Sequence, residues 1–176
     1  MTLRPVVASL ALCATLLACV SAQMSTMQSF SSAAGRFTVT VPGGTMNTST
    51  LATPRNGAFA GSTVSGFSTG SASGARFAIL YADAAAGYLD AHGVGATLLD
   101  AEQANLATNS GTLVSDDQIT VAGQPAREER INVGQVVYVF RLVFVGQRFY
   151  SISVTGSSAQ VDAADAKVFL DSFTSP

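Results

Sequence analysis

The thiol of Cys19 is the first reactive group the sequence offers. It closes Leu16-Leu17-Ala18-Cys19, with leucine three positions back and alanine just before, the pattern of a lipobox. Acylation at the Cys19 sulfur is the chemistry that pattern implies. The other cysteine, Cys13, follows Leu12, too large for the residue before a cleavage site. His92 is the single histidine. An imidazole titrates near neutrality and serves widely as a general base. Here it has no cysteine partner beyond the leader, and no Gly-x-Ser-x-Gly elbow supplies a nucleophile. A solvated or capping histidine is the expectation. One histidine cannot furnish a structural or catalytic metal set, and Asp116-Asp117 is too sparse for a calcium loop. Lipid attachment at Cys19 is therefore the one site expected, with no catalytic, cofactor-binding or metal-binding residue.

Two further stretches invite a chemical reading. Gly66–Arg76, "GFSTGSASGAR", has the glycines of a phosphate loop but lacks the Gly-Lys-Ser/Thr ending and leads into a strand. It is expected to be a hairpin loop. Arg127-Glu128-Glu129-Arg130 concentrates charge in a strand-like segment. Alternation places Arg127 and Glu129 on one face and Glu128 and Arg130 on the other. Arg141 falls on the valine-lined face of a later strand, where an unpaired charge is costly. Glu129 of the neighbouring strand is its expected partner. Alternatively, these charges frame a surface for a partner. Asn47-Thr48-Ser49 matches a glycosylation sequon, which a bacterial leader makes idle.

Residues 1–22 read as a secretory signal peptide and are set aside from the fold. Arg4 provides the positive n-region, and Pro5 to Val20 is an uncharged apolar run, short of the roughly 20 residues a spanning helix needs. Two cleavage instructions overlap: before Cys19 for a lipoprotein, or after Val20-Ser21-Ala22 for a free chain starting at Gln23. Without the leader, 8 basic residues face 11 acidic ones, a net charge of −3. That excludes an electrostatic footprint for nucleic acid. Both cysteines lie in the leader, and a domain of this size can stand without disulfides.

Positioning elements follow from periodicity. Residues 23–35 read as a flexible tether and 36–176 as a single domain. "RFTVTV" alternates and stops at Pro42-Gly43-Gly44. Residues 45–57 read as loop, Phe59–Thr69 and Ala75–Asp83 as strands. An Ala-rich helical stretch runs from Ala84 to Asn109, with Asp83 as a candidate cap, interruptions at Gly93 and Gly95, and a longer second helix capped by Thr97. Strands are expected over Leu113–Val121, Ala126–Val133, Val136–Val145 and Arg148–Thr155. Tyr138, Phe140, Leu142 and Phe144 share one face of the third; Val137, Val139, Val143 and Val145 share the other. Apolar character on both faces marks a strand covered on both sides. A final helix from Ala159 to Ser172, capped by Ser157 or Ser158, carries a stripe of Val161, Ala164, Val168, Phe169 and Phe173. The order β-β-β-α-β-β-β-β-α gives an α+β domain with an antiparallel-rich sheet.

Four phrases in that order, "GRFTVTVP" (Gly35–Pro42), "VAGQPAREER" (Val121–Arg130), "VGQRFYSISVTG" (Val145–Gly156) and "FLDSF" (Phe169–Phe173), are structural rather than catalytic. On them the chain resembles the Mog1/PsbP-like superfamily, including the DcrB-type bacterial lipoproteins. The resemblance implies an α/β/α sandwich used for protein binding, in relatives that bind a small GTPase, assist photosystem II assembly or sit in the bacterial envelope. It carries over no catalytic residue. The expected function is a non-enzymatic exported envelope protein docking an unknown protein partner, held to the membrane through Cys19 if acylated. A periplasmic carrier of a small ligand or lipid is the alternative, with a pocket between "YVFRLVF" and a helix.

Overall fold

The computed structural model describes residues 26–51 and 56–176. Cys19 and the leader lie outside the described residues. Seven antiparallel strands form one sheet: β3 (Asn47–Leu51), β4 (Val64–Gly70), β5 (Arg76–Asp83), β9 (Arg148–Gly156), β8 (Val136–Val145), β7 (Gln124–Val133) and β6 (Thr112–Val121), in that spatial order. A separate antiparallel hairpin, β1 (Met27–Ser32) and β2 (Phe37–Pro42), packs on one face. Between β5 and β6 the chain forms α1 (Tyr88–His92) and α2 (Val94–Asn109); after β9 come α3 (Ser158–Val161) and α4 (Ala164–Asp171). The α+β architecture is thus an antiparallel sheet with helices on both faces.

The two faces of β8 divide the core. Val137, Val139 and Val143 meet Phe37, Val39 and Val41 of β2, Val161 of α3 and Phe169 of α4 in one buried cluster. Leu142 and Phe144 point the other way, toward Leu98 of α2 and Leu89 of α1. Alternation in β2 is complete: Phe37, Val39 and Val41 are buried while Thr38 and Thr40 are only half so. The hairpin is pinned to the sheet by polar contacts. Tyr150 Oη donates to the Gly35 carbonyl at 2.8 Å, and Arg148 reaches the Ala34 carbonyl at 2.6 Å while gripping Asp83 with two bonds of 2.7 Å. On the far edge of β2, Thr38 and Thr174 exchange backbone hydrogen bonds of 2.9 Å.

Several expectations are corrected. Met27–Ser32, placed in the tether, is a strand because six residues find antiparallel partners on β2. Asn47–Leu51, placed in a loop, is an edge strand on β4. Its hydroxyl residues are exposed throughout, so no hydrophobic alternation announces it. The strand expected from Phe59 begins at Val64. Asp83 does not cap a helix, since its carboxylate is bound to Arg148. α2 begins at Val94 instead of behind a Thr97 cap, and the Thr97 hydroxyl donates back to the Gly93 carbonyl at 2.8 Å. Ala122-Gly123 both adopt positive φ, as the tight two-residue hairpin turn requires, which frees Gln124 and Pro125 to join β7. The last helix is broken at Asp162-Ala163, which re-phases it. Ala166 and Leu170 are buried with Phe169, while Val168 is 42% exposed. Ser157 caps α3 through a capping box with Gln160.

Candidate functional site

The strand Arg127–Arg130 lies between β6 and β8, and its alternation sends charge to both faces of the sheet as expected. The partner of Arg141 differs. Register places Glu128, not Glu129, directly across from Arg141, and paired residues face the same side. Arg141 Nε donates to Glu128 at 2.6 Å and Nη1 to Asp171 of α4 at 2.8 Å. Arg130 holds Asp162 with bonds of 2.7 and 3.1 Å. Glu128, Arg130, Arg141, Asp162 and Lys167 line a polar basin of about 300 Å³. Its cations are answered by acids, so it carries no free charge for a ligand. Asp162 is held below the usual carboxylate range by its hydrogen bond to Arg130, and Asp171 by those to Lys167 and Arg141.

Glu129 points the opposite way, beneath α2, and is 0% exposed. Asn105 of α2 donates to its Oε1 at 2.5 Å, and Oε2 has no partner. Beside it Arg127 binds Glu102 of α2 at 2.9 Å and Asp116 of β6. Asp116 stands directly across the ladder from Glu129, and its Oδ1 is likewise buried without a partner. A β-bulge at Val114 is what turns Asp116 inward, since the extra residue resets the alternation after Leu113. Burial raises the Glu129 carboxyl from its ordinary 4.5 to about 7, against the pull of Asn105. Nothing in the sequence pairs Glu102, Asn105 and Asp116 with Glu129; only the docking of α2 does so.

The remaining candidates are surface features. His92 is exposed, its Nδ1 donating to the Tyr88 carbonyl at 2.9 Å and its ring stacked on Tyr88 at 4.0 Å. The glycine-rich stretch divides: Gly66–Gly70 belong to β4 and Arg76 opens β5, while residues 71–75 form the hairpin loop between them. Among the described residues no cluster of three or more His, Cys, Asp or Glu is arranged to hold a metal ion. No helix among them is long and apolar enough to cross a membrane.

α2 lies over β7 and β8. Toward β5 the same face is left half-covered: Tyr138 and Phe140 stack with their planes 4° apart, and Ala78, Leu80, Ser153 and Thr155 are partly exposed beside them. At the far end, the first turns of α2 and the β6–β7 hairpin enclose an open groove of about 440 Å³, with Leu98 on one wall and Gln118, Pro125 and Arg127 on the other.

No family profile and no curated protein sequence matches the chain. Among solved structures it is similar to the solution structure of cyanobacterial PsbP (CyanoP) from Synechocystis sp. PCC 6803. The TM-score is 0.58 and the identity 11%, covering 92% of this chain and 99% of that one. The crystal structure of a Pseudomonas aeruginosa protein of unknown function aligns with a TM-score of 0.35 and 12% identity, over 77% of this chain and 85% of that one. The first likeness shows the fold, which is PsbP-like.

Proposed function

We propose that this chain is a non-enzymatic accessory domain of the bacterial cell envelope, which docks a protein partner on the open half of its α2-side sheet face. The leader of residues 1–22 supplies export, and acylated Cys19 holds the domain to the membrane facing the periplasm or cell surface. Cleavage after Ala22 would instead release it. The reading rests on the stacked, half-exposed Tyr138 and Phe140 with the small side chains of Ala78 and Ser153 beside them. Aromatic anchors at the border of a flat, small-residue surface are the chemistry of interface centres, which gain most from being desolvated by a partner. A photo-crosslinking residue at Ala78 or Ser153 of the full chain, in the native envelope, is expected to give one adduct of defined mass. The same residue at exposed Gln103 of α2 should not, and Leu80→Glu should remove the adduct without changing the melting curve. Equal adducts at all three positions, or none, would overturn the reading.

The groove between α2 and the β6–β7 hairpin favours a second reading, a carrier of a small ligand. Native mass spectrometry of protein taken from its own envelope tests it: a bound mass lost in Leu98→Trp would support the carrier.

A further inference from the structure

Two buried carboxylate oxygens lack a partner among the described residues, Asp116 Oδ1 and Glu129 Oε2. They belong to residues that face each other on one rung of the β6–β7 ladder, on the side α2 covers. The ionisable groups around Glu129 are Glu102 from α2, Asp116 from β6 and Arg127 from its own strand; β8 presents Phe140 there. If all ionise, three carboxylates share one guanidinium, and that guanidinium is already engaged by Glu102 and Asp116. An ionised Glu129 would then be a buried charge whose one direct partner is a neutral amide, which is costly. A proton removes the cost, and because residues paired on one antiparallel rung hold their Cβ atoms about 4.5–5.5 Å apart, the other orphan acceptor lies on the side chain best placed to receive it.

We propose that Asp116 and Glu129 share one proton beneath α2, and that this proton fastens α2 to the sheet, so that losing it loosens α2 over β7. The other contacts explain why α2 is the element that responds. Glu102 and Asn105, one turn apart, are its polar attachments to this cluster: Asn105 bonds Glu129 directly, and Glu102 bonds Arg127, the cation it shares with Asp116. The apolar attachment at Leu98 lies further along the helix, toward its N-terminus.

The pH dependence has a definite sign. A carboxyl raised in the closed state, from 4.5 to about 7, binds its proton more tightly there than when α2 has opened. Closure is therefore fully supported below about pH 4.5 and is lost progressively as pH rises toward 7. One proton linked to opening increases the opened population about tenfold per pH unit across that window, with a plateau above it.

Hydrogen exchange on the full chain between pH 4.5 and 8.5, corrected for intrinsic rates, reads the opening of residues 94–109 separately from β8 and β9. The expected result is that pH-dependent rise confined to α2, and its absence in Glu129→Gln, where a neutral amide replaces the protonated acid. Carboxyl-detected NMR of the same protein should place the Glu129 titration near neutrality, and Asp116→Asn should move it toward the ordinary range. Three results would overturn the proposal: Glu129 titrating as an ordinary glutamate, Glu129→Gln retaining the wild-type pH profile, or α2 and β8 opening together. Restoration of α2 protection at pH 8 by added calcium or magnesium would overturn it too, by assigning the orphan oxygens to a cation.

Discussion

Leu142 retains no exposed surface, whereas Phe140, two positions earlier on the same face, stands at the open edge of α2 and stacks on Tyr138. Leu142→Ala is expected to lower the unfolding free energy by about 2–5 kcal/mol, the range for truncating a fully buried leucine. Phe140→Ala should cost less than Leu142→Ala despite removing more atoms, because part of that ring never leaves water. Denaturant midpoints of the two variants, measured side by side, check the order. From sequence, Phe140 is grouped with the buried aromatics because periodicity assigns a face but not how far a helix extends over it. Arg141 is legible as an anomaly among valines for the complementary reason. Its partner is not legible, because choosing Glu128 over Glu129 needs the register across two strands.

Two glycines at the ends of α2 call for opposite outcomes on the same substitution. A Cβ at Gly111 would lie 2.3 Å from Ile131 Cγ2 and 3.0 Å from the Asn132 carbonyl oxygen, at the turn where α2 gives way to β6. Gly111→Ala is expected to destabilise by about 1–3 kcal/mol through overpacking. At Gly95, in the first turn of α2, a Cβ meets nothing within 4 Å. Gly95→Ala should stabilise by about 0.4–1 kcal/mol by restricting the unfolded chain. Thermal melts of both variants decide the matter, and a shift of the same sign in both would contradict this geometry. Elements with a strong apolar pattern are legible before folding: Val136–Val145 is bounded as the sequence implies, and β2 alternates as it should. The strands missed are those whose side chains do not alternate in polarity. β1 and β3 are defined by backbone pairing to a neighbour, and serine and threonine leave no hydrophobic trace of it. The phase of the last helix is not legible in the sequence, because a two-residue break leaves no mark in a pattern of alanines and aspartates.

The pH response of the whole domain combines two opposite contributions. Asp83, Asp162 and Asp171 are lowered below the ordinary 3.8 by hydrogen bonds to Arg148, Arg130 and Lys167 respectively. Their support is present above that value and is lost as acid protonates them. Glu129 acts in reverse, its support complete below 4.5 and fading toward 7. Stability is therefore expected to peak on the acidic side of neutrality, between those windows. A melting-temperature series from pH 3 to 9 measures it, and Glu129→Gln should flatten the neutral limb while leaving the acid limb intact. At the same scale, the address of the molecule is tested at Cys19. Incorporation of labelled fatty acid and partition into detergent are expected for the full chain and should vanish in Cys19→Ala. Gln23 found as a free N-terminus on the unmutated protein would show the other cleavage to be used.

The bridge between Thr38 and Thr174 has a consequence for timing. Its partners are separated by 136 residues, and among the described residues the outer edge of β2 is closed by the segment from Ser172 to Ser175, through the Thr174 backbone and the side chains of Ser172 and Ser175. Contacts of such span carry a heavy loop-closure cost and come late in folding. While the chain is being synthesised, Phe37, Val39 and Val41 wait with their apolar faces unsealed until β8, β9 and α4, which cover them, have followed, and the outer edge of β2 stays open until Ser172–Ser175 have followed as well.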